Sequence, residues 1–149
     1  MDSKGDISLK NGYHVGMVAG AIAGFVDNIA SVLAIYLAEF IGLWETKVTY
    51  DFSLWIARFS SGLSLNIIWG MFFGIIYAMI YDSIPSKGIK KGLIFGLLFY
   101  WLLSNVRLSS FLQSYGDIQS GIFWAKAFIW TGFFASIAYG PTIGYLYKK

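Results

Sequence analysis

The sequence predicts an all-α protein: an integral membrane four-helix transmembrane bundle. Three observations carry this expectation. Of the 149 residues, 57% are hydrophobic and only 13% are charged, where a soluble domain usually carries about 25% charged residues. The mean hydropathy is +0.63. The apolar residues fall into four long runs split by short polar connections, and each run can supply the roughly 20 helical residues that a bilayer core requires. A soluble core could not hide this much apolar surface, whereas lipid can.

The elements follow in chain order. Residues 1–12 are polar and mixed in charge, with Asp2, Lys4, Asp6 and Lys10. The apolar run behind them is too long for a cleaved signal peptide. The first span is expected over 13–43, longer than a bilayer core needs, so it must tilt or protrude. Trp44 and Tyr50 suit the interface beyond it. Phe52, Leu54, Trp55 and Ile56 form an apolar cluster, expected as a surface segment ahead of Arg58. The second span is expected over 59–81, with a polar first half that holds Ser60, Ser61, Ser64 and Asn66. Pro85 and Gly88 supply turn chemistry between it and a third span over 89–112. A polar stretch over 113–120 leads to the fourth span, 121–147. The connections are too short to be domains, so residues 1–149 are expected to form a single transmembrane domain.

Charge placement gives an orientation. The N-terminus, the middle connection and the C-terminus share one side of a four-span protein and hold Lys4, Lys10, Lys87, Lys90, Lys91, Lys148 and Lys149. The positive-inside rule then puts both termini in the cytoplasm. The net charge of +3 is explained by these helix-end lysines, and nucleic acid is not an expected partner. There is no cysteine and a single histidine, His14. Disulfides, thiolate metal sites and a multi-histidine site within this chain are thereby excluded.

Glycine spacing is the most informative pattern. In the first span Gly16, Gly20, Ala23, Asp27, Ala30, Ser31, Ala34 and Ala38 share one stripe, since successive residues turn by about 100°. Gly24 continues the four-residue glycine rhythm. Bulky Val18, Ile22, Phe25 and Leu33 lie opposite. Small stripes of this kind let a second helix approach closely. The expected role is tight packing, with a dimerisation seam or a pore lining as the sharper alternatives. Gly92 and Gly96 repeat the spacing in the third span. Gly70 and Gly74, then Gly140 and Gly144, repeat it in the second and fourth, each pair followed by a tyrosine, Tyr77 or Tyr145. This suggests an internal two-fold repeat of helix pairs.

Charges inside the apolar runs are the candidate functional residues. Asp27, with Asn28 beside it, falls near mid-membrane, where an unpaired charge costs several kcal/mol. Arg107 is the expected partner, because uninterrupted helical counting puts it on the glycine face of the third span with Gly92 and Gly96. Such a pair reads first as a register-fixing ion pair and second as a proton or ion relay. Glu39 and Lys126 lie near the outer helix ends and are expected to snorkel or to pair with each other. Asn66 is expected to hydrogen-bond across the bundle. His14 reads as an interfacial residue. There is no Ser/His/Asp set, no metal-ligand cluster and no phosphate-cradling loop; Ser86, Lys87 and Gly88 are too short a stretch for one. No enzyme activity and no cofactor are expected.

The stretch from Ile68 to Tyr77 (IWGMFFGIIY), then Lys91 to Gly96 (KGLIFG) with Trp101, then Tyr139–Gly140 and Gly144–Tyr145, follows a recurring order. The chain resembles a family of small, functionally uncharacterised four-span glycine-rich membrane proteins of bacteria and archaea. The resemblance covers most of the chain and implies a four-helix architecture with no established activity. Members often carry histidines in the second and fourth spans. Neither span has one here, so no histidine role transfers.

The expected function is that of a non-catalytic membrane subunit that packs within a larger membrane complex or self-associates. Lipids and other membrane subunits are its partners. The alternative is a small oligomeric transporter or channel lined by Asp27 and Arg107.

Overall fold

The computed structural model describes the backbone of residues 3–43, 52–102 and 118–147, and the side chains of 12–43, 52–53, 55–102 and 129–147. Among these residues the regular structure is helical, with no strand. Four helices follow one another: α1 (Ser3–Phe40), α2 (Phe52–Ile80), α3 (Gly88–Phe95) and α4 (Ile118–Leu146). The Gly12–Phe40 part of α1 and the segment Trp55–Ser83 are long and apolar enough to cross a membrane, with mean hydropathies of 1.8 and 1.9.

The helices begin ahead of the spans expected from sequence. α1 begins at Ser3, ahead of the span expected over 13–43, while its long apolar part, Gly12–Phe40, starts next to that expected boundary. Polar side chains limit where a chain enters lipid, but they do not prevent helical hydrogen bonding. Its end is capped: Leu43 N–H donates to Ala38 O at 2.8 Å and Gly42 N–H to Glu39 O at 3.2 Å, with Gly42 at φ 71°. This is the paired bonding of a Schellman cap, which favours glycine in the left-handed position. α2 begins at Phe52, so the apolar cluster expected as a surface segment forms its first turns. There Phe52, Trp55 and Phe59 stack ring on ring, with centroids 6.2 and 5.3 Å apart. A 3-10 turn, Tyr81–Ser83, follows α2. The connection to α3 then passes through two left-handed residues, Ser86 at φ 111° and Gly88 at φ 53°.

α3 does not end as an ordinary helix. It runs on through a π turn, Gly96–Tyr100, closed by the bond from Trp101 N–H to Gly96 O. That turn carries one extra residue, so Trp101 and Leu102 are rotated from their α-helical positions.

Backbone contact holds the helices in pairs. On α1, Gly16, Gly20 and Gly24 lie against the carbonyls of Gly74, Gly70 and Asn66 on α2. On α3, Gly92 and Gly96 lie against the carbonyls of Gly140 and Ser136 on α4, and Gly144 lies against that of Gly88. Each step of four along one helix meets a step of four back along its antiparallel partner. A Cβ at these seams would collide with main chain, so the glycines set the interhelical distance. α1 packs along α4 as well. The interior between the pairs is filled by Phe73, Tyr77, Phe95, Tyr139 and Ile143. Val18, Ile22, Leu33, Ile68, Phe72 and Met79 are exposed on the outside.

Candidate functional site

The candidate site is a layer of polar side chains inside the bundle. Asp27 and Asn28 on α1 are each 2% exposed. They are successive residues, about 100° apart around the helix, and so address different neighbours. Asn28 faces α2. Its Nδ2 donates to Phe59 O at 2.9 Å, and its Oδ1 accepts from Asn66 Nδ2 at 3.0 Å. Gly62 makes the space, because a Cβ there would stand 2.7 Å from Asn28 Oδ1.

Asp27 turns towards α3. Its Oδ2 accepts from the Tyr100 hydroxyl, and its Oδ1 accepts from Ser31 Oγ at 3.1 Å, one helical turn along α1. Tyr100 stacks flat on Tyr139 of α4, with centroids 4.3 Å apart and an 8° interplanar angle. The Tyr139 hydroxyl donates to Gly70 O on α2 at 2.8 Å. That carbonyl lies beside Gly20 at the first glycine seam. These hydrogen bonds, joined by the Tyr100–Tyr139 ring stack, together touch all four helices. Nearer the far end of α1, Trp130 Nε1 of α4 donates to Ala34 O at 2.8 Å.

The expected partner of Asp27, Arg107, lies outside the described residues. The helical counting that placed it on the face of Gly92 and Gly96 assumed uninterrupted α geometry. A π turn, Gly96–Tyr100, lies within the stretch that this counting crosses. Lys126 is in α4, but its side chain lies outside those described. Glu39 is bonded to Arg58 of α2, with Nη1 at 3.2 Å from Oε1, and the Arg58 guanidinium also lies 5.2 Å from the Tyr36 ring centroid. Sequence reasoning treated Arg58 only as a flanking charge. His14 lies on the rim of an outer apolar groove of about 350 Å³ between α1 and Leu146.

Tyr100 and Tyr139 were not among the candidate site residues read from sequence. Tyr139 entered only as part of the Tyr139–Gly140 motif, with no role in the polar layer. No pattern in the sequence marks Tyr100 as the partner of Asp27.

At the lysine-rich end, Lys91 is buried to 7% exposure; its Nζ donates to Tyr81 O at 2.6 Å and stands 3.9 Å from the centre of the Tyr81 ring. Tyr81, Tyr77 and Tyr147 pack ring against ring beside it. These contacts fasten the turn after α2 to the start of α3.

Chemically, the polar layer offers one carboxylate with two hydroxyl donors and one amide pair. Among the described residues no three carboxylate or imidazole groups gather as a metal site. No family model, curated protein or solved structure matches the chain. The likeness carried by the glycine–tyrosine motifs therefore brings no activity to the site.

Proposed function

We propose that the chain is a four-span integral membrane protein that acts as a non-catalytic packing subunit within a larger membrane assembly. One observation carries this reading. The small-residue faces are occupied within the chain by its own helices, while large apolar side chains are left outward on α1 and α2. Close backbone approach along both glycine seams leaves little room for a substrate path there. The polar layer is hydrogen-bonded among the helices, which favours a fixed arrangement over a wet cavity. The outward Val18, Ile22, Leu33, Ile68, Phe72 and Met79 suit lipid or the apolar face of another membrane subunit. On this reading both termini are cytoplasmic, with the lysines around Lys87, Lys90 and Lys91 at the inner surface.

Gentle solubilisation followed by native mass measurement tests it. A defined heteromeric or homomeric assembly is expected. A stable lone monomer with no co-purifying protein overturns the subunit reading. If that monomer also moves protons or common ions across vesicles, the transporter alternative takes its place.

A further inference from the structure

We propose that Asp27, Ser31 and Tyr100 form a proton-binding site whose occupancy sets the helical register of the π-turn segment of α3. The inference goes beyond the packing reading and stands whether or not a partner subunit is found.

The geometry has two halves. The first is Asp27 itself, 2% exposed, with its two oxygens receiving hydroxyls from two different helices. An ionised carboxylate only accepts hydrogen bonds, so a dry site must supply donors to it. The second half is the origin of one donor. Tyr100 is the last residue of the π turn, and Trp101 N–H closes that turn on Gly96 O. π turns are rare and interrupt ordinary helix bonding, and they recur at functional sites. In unbroken α geometry the residues beyond Gly96 would be rotated by up to about 100°, one residue's worth of turn. Tyr100 would then leave its present line to Asp27. The ionised carboxylate and the π turn therefore support each other.

Protonation changes that balance. A proton from bulk water converts the carboxylate to a carboxylic acid, which carries its own donor and no net charge. The Tyr100 hydroxyl is then no longer needed to solvate a buried anion. The segment is free to return to α bonding, and the proton leaves to water when the site ionises again. Trp101 stands where such a change would be felt first. Its Nε1 is buried with no partner among the described residues, and its ring borders Gly132 of α4.

The groups around Asp27 come from each helix: Ser31 and Asn28 from α1, Asn66 from α2 through Asn28, Tyr100 from α3, and Tyr139 from α4 through its stack on Tyr100. Among the described cations, Arg58 is engaged with Glu39 and Lys91 with Tyr81, while Lys87 and Lys90 are exposed around the start of α3.

The test uses the full chain in lipid nanodiscs with fluorine-labelled tryptophan, the Trp101 resonance being assigned by Trp101→Phe. Infrared spectra, differenced against Asp27→Asn, report the Asp27 carboxyl from about pH 4 to about pH 9, a window that spans ordinary carboxyl and histidine titration. The expected result is a carboxyl band and a Trp101 shift that titrate together. Asp27→Asn should hold Trp101 at its low-pH position throughout. Tyr100→Phe should keep the carboxyl titration and lose the Trp101 response. A Trp101 signal unaffected by pH overturns the proposal, as does one whose pH response survives in Asp27→Asn or Tyr100→Phe. A carboxyl that stays in one protonation state overturns it as well. Should Asp27→Asn fail to fold, Tyr100→Phe alone decides the coupling. The mass measurement that judges the packing reading is separate, so the two can fail independently.

Discussion

Gly20 and Gly70 meet main chain to main chain: a Cβ on either would strike the carbonyl oxygen of the other. The obstacle is backbone, which cannot swing aside as a flexible side chain does. Either Gly20→Ala or Gly70→Ala is therefore expected to destabilise the bundle by about 1–3 kcal/mol, the usual range for overpacking. The gain of roughly 0.5–1 kcal/mol from replacing a mid-helix glycine by alanine is too small to offset this in full. Gly132→Ala is the control, because its Cβ would meet only the Trp101 ring at 3.5 Å, an ordinary contact. Reversible unfolding in mixed micelles should separate the two classes. A neutral Gly20→Ala would mean that the helices stand further apart than described.

The hydrogen bond between Asn66 Nδ2 and Asn28 Oδ1 predicts an energetic coupling. On the proposed membrane reading, a double-mutant cycle on Asn28→Ala and Asn66→Ala should give about 0.6 kcal/mol, and at most about 1.7, the range of polar pairs within membrane helices. The single variants should be unequal. Asn28→Ala also frees Phe59 O from the amide that bonds it, whereas Asn66→Ala leaves that bond in place. Unfolding midpoints of the four proteins measure this, and strict additivity would refute the contact.

Much of this architecture was legible in the sequence, and the reason is periodicity. Gly16, Gly20 and Gly24 recur every four residues because a helix face does, and the same spacing at Gly70 and Gly74 marks the opposing surface. Asp27 stood out because a charge is rare in an apolar run. What was hidden depends on register rather than pattern. A π turn changes which carbonyl an N–H reaches, and no side chain announces that. Tyr100 was therefore missed. The Glu39–Arg58 pair was hidden for a related reason: it depends on how far two antiparallel helices slide past each other, which the glycine seams settle only in three dimensions. The early start of α1 at Ser3 was obscured because hydropathy reports lipid compatibility, not helicity.

The Glu39–Arg58 pair should contribute little to stability. The Arg58 side chain keeps 33% of its exposure, so solvent screens it, although Glu39 is largely covered. Glu39→Gln is expected to cost under about 1 kcal/mol, the range of exposed ion pairs. High salt should shrink the difference between variant and parent, because it screens an accessible pair. Unfolding at low and high ionic strength checks this. A large, salt-independent loss would show that Glu39 has another partner.

Lys91 predicts a stronger effect at the opposite end. Its ammonium is held by Tyr81 O at 2.6 Å and by the Tyr81 ring, and it is 7% exposed. Lys91→Met keeps much of the apolar stem and removes both interactions. A charged hydrogen bond is worth about 1.5–3 kcal/mol and a cation–π contact about 0.5–2 kcal/mol, part of which is recovered by no longer burying a charge. The net loss is expected near 1–2 kcal/mol on the same grounds. It should also be local: the contact ties the turn after α2 to the first turns of α3, so amide exchange should rise around Tyr81 and Lys91 and stay unchanged at the Gly20–Gly70 seam. Equal loosening at both places would show that the bundle unfolds as one unit rather than opening at this end.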